Sequence, residues 1–385
     1  MNSKVLIVGG GPAGAACAIT TARAGLETRV FERGEKYRDK VCGDALVKDA
    51  QNHLDYLGVL ENIRNRSLEV NYSNFIFPNG RSFQLDLPML ILQRRSLDQI
   101  MRDAILDLGG VVNHQTEIKK IWVTESGVKL RDNNSEEYSG DILVLATGSN
   151  IHLAQSLGFN FEKSRVSAIR GYALNKRGLN QNFVYLDKMN SGYGWVFPSQ
   201  NKILNIGFHV SDTNRDSLRE LFKNFINYIE THLTGDLYFL ESPKGCPIRA
   251  GLRKGEIYSD RVVLVGENAN TTYELTGEGI TRSIESGIIA GEVINKSEPP
   301  YDARQLKKYE ERIKTTMGDI HRSYHIGKFM FENGLTHSLF SSLFTRSSKA
   351  RNLLSKFFNG ESPSENVFSI RSQLKFWSSI IKNSS

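Results

Sequence analysis

The 385-residue chain has only three cysteines, Cys17, Cys42 and Cys246. They lie far apart and are odd in number, which gives neither a disulfide framework nor a CxxC redox or metal pair, and a reducing compartment suits them best. No run of 18 or more apolar residues occurs, so no helix of membrane-spanning length is expected. Met1-Asn2-Ser3-Lys4 leads straight into a short apolar strand and glycines and lacks the apolar core of a secretory signal, so a cytoplasmic location is expected. The histidines include no HExxH, and His321 and His325, four apart, have no third ligand beside them, so no metal is expected. A GxSxG elbow and the recognition motifs of nucleic-acid-binding folds are also missing, leaving serine hydrolysis and nucleic-acid binding without support.

What is present is an ordinary globular composition, 39% hydrophobic and 24% charged, in a chain long enough for a substantial core and more than one domain. The formal charge of +7 is unevenly placed: residues 301–385 hold 14 Lys/Arg against 7 Asp/Glu, whereas the preceding 300 balance at 35 each. A solvated basic helical face accounts for this, and so does attraction to an anionic surface. Phe329, Phe331, Phe340, Phe344, Phe357, Phe358, Phe368, Phe376 and Trp377 lie in the same region. The combination suggests peripheral membrane contact, with internal packing or a homo-oligomer contact as the competing accounts.

Lys4–Val8 reads as a buried strand, followed by Gly9-Gly10-Gly11-Pro12-Ala13-Gly14, an alanine-rich helix to Ala24 and a second strand at Thr28–Phe31. Glu32 ends that strand, 18 residues after Gly14, where a carboxylate can accept ribose hydroxyls. Gly9 permits the tight turn, Gly11 admits a pyrophosphate to the positive helix end, and Gly14 permits close helix–sheet packing. Strand, glycines and acid together describe a dinucleotide-binding unit suited to FAD.

Farther on, a helix is expected from near Ser96 to Leu108, with strands at Val111–His114, Lys119–Thr124 and Val128–Arg131. Asp141–Ala146 is another buried strand, ending in Thr147-Gly148, where backbone can approach a ligand at a strand's carboxyl end. Alternating aromatic segments at Asn182–Leu186, Gly192–Phe197 and Ile203–Val210 then signal a mainly antiparallel sheet covered on one face. Asp216–Glu230 has helical apolar spacing, and Arg261–Val265 returns to the buried-strand type before Gly266-Glu267-Asn268-Ala269 and a helix around 277–293.

GGGPAG with Glu32, Arg94 just before a helix, Ala146-Thr147-Gly148 and Gly266-Glu267-Asn268-Ala269 together resemble the FAD-dependent oxidoreductases that include the aromatic-ring hydroxylases. Within them, Lys40-Val41-Cys42-Gly43-Asp44-Ala45-Leu46, Gly192-Tyr193-Gly194-Trp195-Val196-Phe197-Pro198 and Leu275-Thr276-Gly277-Glu278-Gly279-Ile280 resemble the geranylgeranyl reductase branch, which saturates isoprenoid double bonds. The resemblance covers roughly residues 3–300. It implies FAD contacts from Gly9, Gly11, Pro12, Ala13, Gly14, Glu32, Arg33, Cys42, Gly43, Arg94, Thr147, Gly148, Gly266, Glu267, Gly277, Gly279 and Ile280. Arg94 and Glu267 would meet the middle of the cofactor, although Glu267 is one methylene longer than the aspartate usual there.

The resemblance also makes Tyr193, Trp195, Phe197 and Pro198 the wall of an apolar cavity for a lipid or other hydrophobic small molecule. Because Tyr193, Trp195 and Phe197 alternate along one strand they share a face, which ordinary core packing explains as well. Cys42 and Tyr193 are the candidate catalytic groups, each mostly protonated at neutral pH at its ordinary pKa, with water a third proton source. NAD(P)H or a reduced protein carrier would supply electrons.

The expected fold is α/β: a Rossmann-type FAD-binding domain of residues 1–75, 94–165 and 251–300, an inserted, mainly antiparallel substrate domain of 76–93 and 166–250, and a helical region of 301–385. Two other functions share the cofactor motifs. One is a flavin monooxygenase or halogenase, although residues 193–198 carry one Trp where the halogenase WxWxIP motif has two. The other is a non-catalytic flavin- or lipid-binding protein.

Overall fold

The computed structural model describes residues 4–164, 166–187, 192–211, 215–332 and 341–361. The first sheet is mostly parallel and runs in the order β16 (Tyr258–Ser259), β17 (Val262–Leu264), β10 (Ile142–Leu145), β1 (Lys4–Val8), β2 (Glu27–Phe31), β6 (Val111–Asn113). Its central strands are continuous apolar runs because both faces are covered, one by helices and the other by residues 118–140, whose Val128, Leu130 and Tyr138 join the same core. A second sheet runs β15 (Lys244–Ile248), β11 (Val166–Leu174), β14 (Ile203–Ser211), β13 (Gly192–Ser199), β12 (Asn182–Asp187), β4 (Leu68–Ile76), β5 (Ser82–Ile91), β3 (Ala45–Leu46). A small antiparallel sheet joins β7 (Ile118–Thr124), β8 (Gly127–Asp132) and β9 (Glu137–Gly140).

The helices are α1 (Pro12–Arg23), α2 (Lys48–Tyr56), α3 (Leu60–Arg64), α4 (Arg94–Asp107), α5 (His152–Ser156), α6 (Arg215–Ile229), α7 (Ile280–Asn295), α8 (Ala303–Glu332) and α9 (Ser348–Phe358). Helix α4 begins at Arg94 itself, two residues earlier than expected. The break expected at residue 76 also moves: β4 starts at Leu68 and pairs with β5 and β12, so residues 68–75 belong to the second sheet. A tight turn in which Phe77 N–H donates to Arg81 O (2.8 Å) makes β4 and β5 one hairpin, and a hairpin cannot be divided between sheets.

The second sheet has two different faces. Ile169, Val196, Ile206 and Phe208 pack against Phe222, Phe225 and Ile229 of α6. Side chains one residue out of phase, Arg170, Tyr172, Trp195, Phe197 and Asn205, therefore point to the opposite side, toward the first sheet. Helix α9 closes the far edge, where Leu354 and Ala350 meet Phe77, Phe83 and Leu87.

This packing corrects part of the membrane-anchor expectation. Phe344 and Phe357 are buried and Phe358 packs against the same clusters, so these three rings serve the interior. Phe329, Phe331, Phe340, Phe368, Phe376 and Trp377 lie outside the described side chains. Among the described residues no helix is long and apolar enough to cross a membrane.

Candidate active site

The glycine turn is a cradle that side chains would fill. Gly9 has φ +108°, and a Cβ there would lie 2.2 Å from Ala146 O; one on Gly14 would lie 1.9 Å from Gly9 O. Both positions therefore demand glycine. Gly11 precedes α1 without a capping side chain, leaving the positive helix end open to an anion. Its missing Cβ faces two guanidiniums, 3.4 Å from Arg38 Nη2 and 3.8 Å from Arg94 Nη2.

Glu32 is buried at the end of β2 and is braced on every side. Its Oε2 accepts Gly10 N–H (3.0 Å), its Oε1 accepts Gly34 N–H (2.9 Å), and Arg38 Nε lies 3.0 Å from Oε1. Arg33, expected at this site, is exposed, and Arg38 is the arginine that reaches the cradle. Arg102 supports the turn from behind by donating to Gly10 O (3.0 Å). Arg94 is buried, its guanidinium held by Asp98 through bonds of 3.0 and 3.1 Å. A bare turn, an open helix end, flanking guanidiniums and a fixed carboxylate fit the ADP half of FAD.

The middle of the site joins two strand ends. Thr147, just past β10, donates its N–H to Asn268 Oδ1 (3.1 Å), and Asn268 Nδ2 donates back to Gly148 O (2.8 Å). This fixes the turn carrying Gly266, whose φ of +60° and near contact with Ala13 leave no room for a side chain. Glu267 meets Lys40 Nζ at 2.9 Å through Oε2 and Arg249 N–H at 3.2 Å through Oε1. The carboxylate that is one methylene longer than usual is thus held by a lysine.

Beyond this point residues 39–46 cross the inner face of the second sheet, pinned by its side chains. Arg170 donates to Asp39 Oδ1 (2.6 Å) and Lys40 O (3.0 Å). Tyr172 O–H donates to Asp44 Oδ2 (2.6 Å), and Asn205 Nδ2 donates to both Cys42 O (2.8 Å) and Asp44 Oδ2 (2.7 Å). Asp44 has φ +62° and is fully buried; burial raises its carboxyl to about 6, against the pull of Tyr172, Arg170, Asn205 and Arg94.

A cavity of about 340 Å³ opens beside this segment. Pro12, Cys42, Gly43, Arg94, Glu267 and Gly277–Ile280 form its cofactor end, while Tyr193, Trp195 and Phe197 form one wall. It continues between Phe83, Leu87 and Leu186 to Leu354, Phe357 and Phe358. Trp195 and Phe197 are also buried in a packed cluster with Val70 and Ile91, so the packing and pocket readings both describe them. Pro198 is paired with Leu204 in the sheet and does not line the cavity, because it points to the face opposite Phe197.

The two candidate catalytic groups differ. Tyr193 donates its hydroxyl to Thr276 O and stacks on His209 (5.1 Å), and burial drives its pKa upward, so its proton is already engaged. Burial raises the Cys42 thiol too, partly offset by Arg94, and its sulfur accepts Asp44 N–H (3.3 Å). Both are protonated at neutral pH. Sequence reasoning missed Arg38, Lys40, Asp44, Arg102, Tyr172, Asn205 and Asn268 as site residues. Lys40 and Asp44 lay inside the Cys42 motif, Asn268 inside the Gly266–Ala269 segment and Arg38 just before the motif, whereas Tyr172 and Asn205 act more than 100 residues away in sequence.

Residues 3–171 match the model of the pyridine nucleotide-disulphide oxidoreductase family. Menaquinone reductase of Mycobacterium tuberculosis is 26% identical over 76% of this chain and 77% of its own. Digeranylgeranylglycerophospholipid reductase 3 of Methanosphaera stadtmanae is 25% identical over 84% of this chain and 86% of its own. Among solved structures, a geranylgeranyl bacteriochlorophyll reductase-like protein from Thermoplasma acidophilum superposes with a TM-score of 0.75 at 22% identity, covering 97% of this chain and 95% of that one. With the cradle, the paired sheets and these relatives together, the chain is an FAD-dependent oxidoreductase, similar in sequence and fold to geranylgeranyl-reductase-like flavoproteins.

Proposed function

We propose that the protein saturates carbon–carbon double bonds of an isoprenoid or prenylated lipid. The observation that carries this reading is one apolar cavity running from the cofactor end at Cys42 and Gly277–Ile280 to the α9 residues Leu354 and Phe358. An extended hydrocarbon fits such a space better than a compact polar substrate does. The names of the relatives, reductases of prenylated quinones and of prenylated glycerophospholipids, support the same substrate class.

FAD, when bound and reduced, supplies hydride to one alkene carbon. The chain's own residues hold the rest. Trp195 and Phe197 present a flat apolar wall that excludes water and limits the poses of the chain. Cys42, protonated and at the cofactor end of the cavity, is the proposed proton donor to the second carbon; Tyr193 serves as wall because its hydroxyl is committed to Thr276 O. Electrons are proposed to come from NAD(P)H or from a reduced protein carrier.

The test is anaerobic incubation of chemically reduced, FAD-loaded protein with polyprenyl diphosphates and prenylated lipids. The expected result is a mass gain of two hydrogens per reduced bond, matched by flavin oxidation. No gain across the panel, with oxygen-dependent insertion of one oxygen into an aromatic substrate, would place the protein among the monooxygenases instead.

A further inference from the structure

Asn205 is fully buried on β14, between Tyr172 of β11 and Phe197 of β13 in the register of the sheet. Its three polar contacts divide between two parts of the site. Its Oδ1 accepts Trp195 Nε1–H (2.9 Å), and its Nδ2 donates to Cys42 O (2.8 Å) and Asp44 Oδ2 (2.7 Å). One side chain thus ties the cavity wall to the turn at the cofactor end.

The demand on residue type is narrow. The position needs one acceptor and two donors from a single short side chain, which is the inventory of asparagine. Aspartate would turn a carboxylate toward Cys42 O and Asp44, and leucine would leave the indole N–H and the Asp44 carboxylate without this partner. Neighbouring positions are shaped around the same link. A Cβ on Gly207 would lie 2.1 Å from the indole, so the missing side chain is the seat of Trp195. A Cβ on Gly43 would lie 3.5 Å from Phe197 and 3.7 Å from Trp195 Nε1, ordinary contact distances, so the bare turn stands back from the wall by the room of a methyl group.

We propose that Asn205 is a positioning residue that sets the gap between the Cys42–Gly43 turn and the Trp195 wall, and through that gap the alignment of the reacting alkene. The proposal rests on the reductase reading given above. It assigns no chemistry to Asn205; the amide acts through Trp195 and the turn.

The test uses FAD-loaded protein with Asn205→Ser, which is too short to span the link, Trp195→Phe, which removes only the indole donor and part of the ring, and the double variant. The first readout needs no turnover: the flavin absorbance difference spectrum as oxidised protein is titrated with geranylgeraniol. The second is the anaerobic rate of flavin reoxidation by the same lipid. Each single variant should keep its FAD, show the same altered difference spectrum, and reoxidise about tenfold more slowly at saturating lipid. The double variant should be no slower than the worse single, because both substitutions cut one link.

Wild-type spectra and rates in both single variants overturn the proposal, as do losses that multiply in the double variant. If Asn205→Ser does not accumulate as folded protein, Trp195→Phe is set against Phe197→Leu, which changes the same wall without touching the link; equal effects of the two, or a wild-type spectrum and rate in Trp195→Phe, overturn it. A wild-type protein whose spectrum responds to lipid and is altered by the variants, but whose flavin is not reoxidised, refutes the reductase reading and leaves the positioning role standing. No spectral response to lipid in the wild type removes both.

Discussion

Lys40→Met should weaken FAD binding by about tenfold, and the structure sets the scale. Lys40 Nζ lies 2.9 Å from Glu267 Oε2, and the other carboxylate oxygen has Arg249 N–H at 3.2 Å. At an effective dielectric of about 20, two unit charges at that separation attract by roughly 6 kcal/mol before desolvation is subtracted. The carboxylate side chain is 11% exposed but the lysine is 31% exposed, so screening and desolvation remove most of that figure. About 1–2 kcal/mol remains, the range of a charge-assisted hydrogen bond, and 1.4 kcal/mol is a factor of ten in Kd.

Loss of the lysine leaves Glu267 less constrained and removes a positive charge from a site that receives a pyrophosphate cofactor, so both effects act in the same direction. The assay is fluorescence titration of deflavinated protein with FAD, with circular dichroism to confirm the fold. Adding Glu267→Gln to Lys40→Met should recover part of the loss by neutralising the stranded carboxylate. Unchanged FAD affinity in Lys40→Met would refute the claim that the lysine holds this acid for the cofactor.

Gly11→Val should lower FAD affinity at least a hundredfold while leaving the circular dichroism spectrum intact, because a branched side chain would enter the space before Arg38 and Arg94 that the pyrophosphate needs; equal binding in a flavin titration would mean the cradle lies elsewhere. Flavin reoxidation should fall on the acidic side with a midpoint near pH 6, where Asp44 protonates and loses the charge that strengthens the bonds it accepts from Asn205 and Tyr172, and Asp44→Asn should abolish that limb. Stability should move oppositely: a carboxyl raised by burial favours the fold below its unfolded value near 3.8, and that contribution disappears as pH rises through about 6, so the melting temperature of the wild type relative to Asp44→Asn should drop across the same window. Removing residues 361–385 should reduce cosedimentation with anionic vesicles, as Phe368, Phe376 and Trp377 beside Arg371, Lys375 and Lys382 suggest, whereas equal binding by both forms would remove a terminal anchor.

The parts of the fold legible in the sequence were those with local rules. The glycine turn and Glu32 are separated by one helix and one strand, so their spacing alone brings them together. Alternation correctly put Tyr193, Trp195 and Phe197 on one face of β13, and the same rule should have excluded Pro198, which has the opposite parity. The pinning of residues 39–46 was not legible, because it depends on the pairing of β11 with β14 and on that sheet meeting the first one. No local pattern distinguishes Asn205 from any other asparagine in a strand. Basic residues followed by phenylalanines in the C-terminal region resembled a surface anchor, since composition does not reveal that Phe344 and Phe357 have partners on β5 and α8.

Helix α9 gives the order of synthesis a consequence for the molecule. The dinucleotide cradle draws its parts from the chain up to α7, but Leu354, Phe357 and Phe358 emerge later and close the far end of the cavity. A ribosome-bound chain that has emerged only to α7 would carry the residues suited to the cofactor and an open trough in place of the closed cavity. The same division lets descent work on the two independently. Exchange of α9 between related proteins would alter how far the cavity extends, while the turn at Gly9–Gly14, some 340 residues upstream, stays as it is.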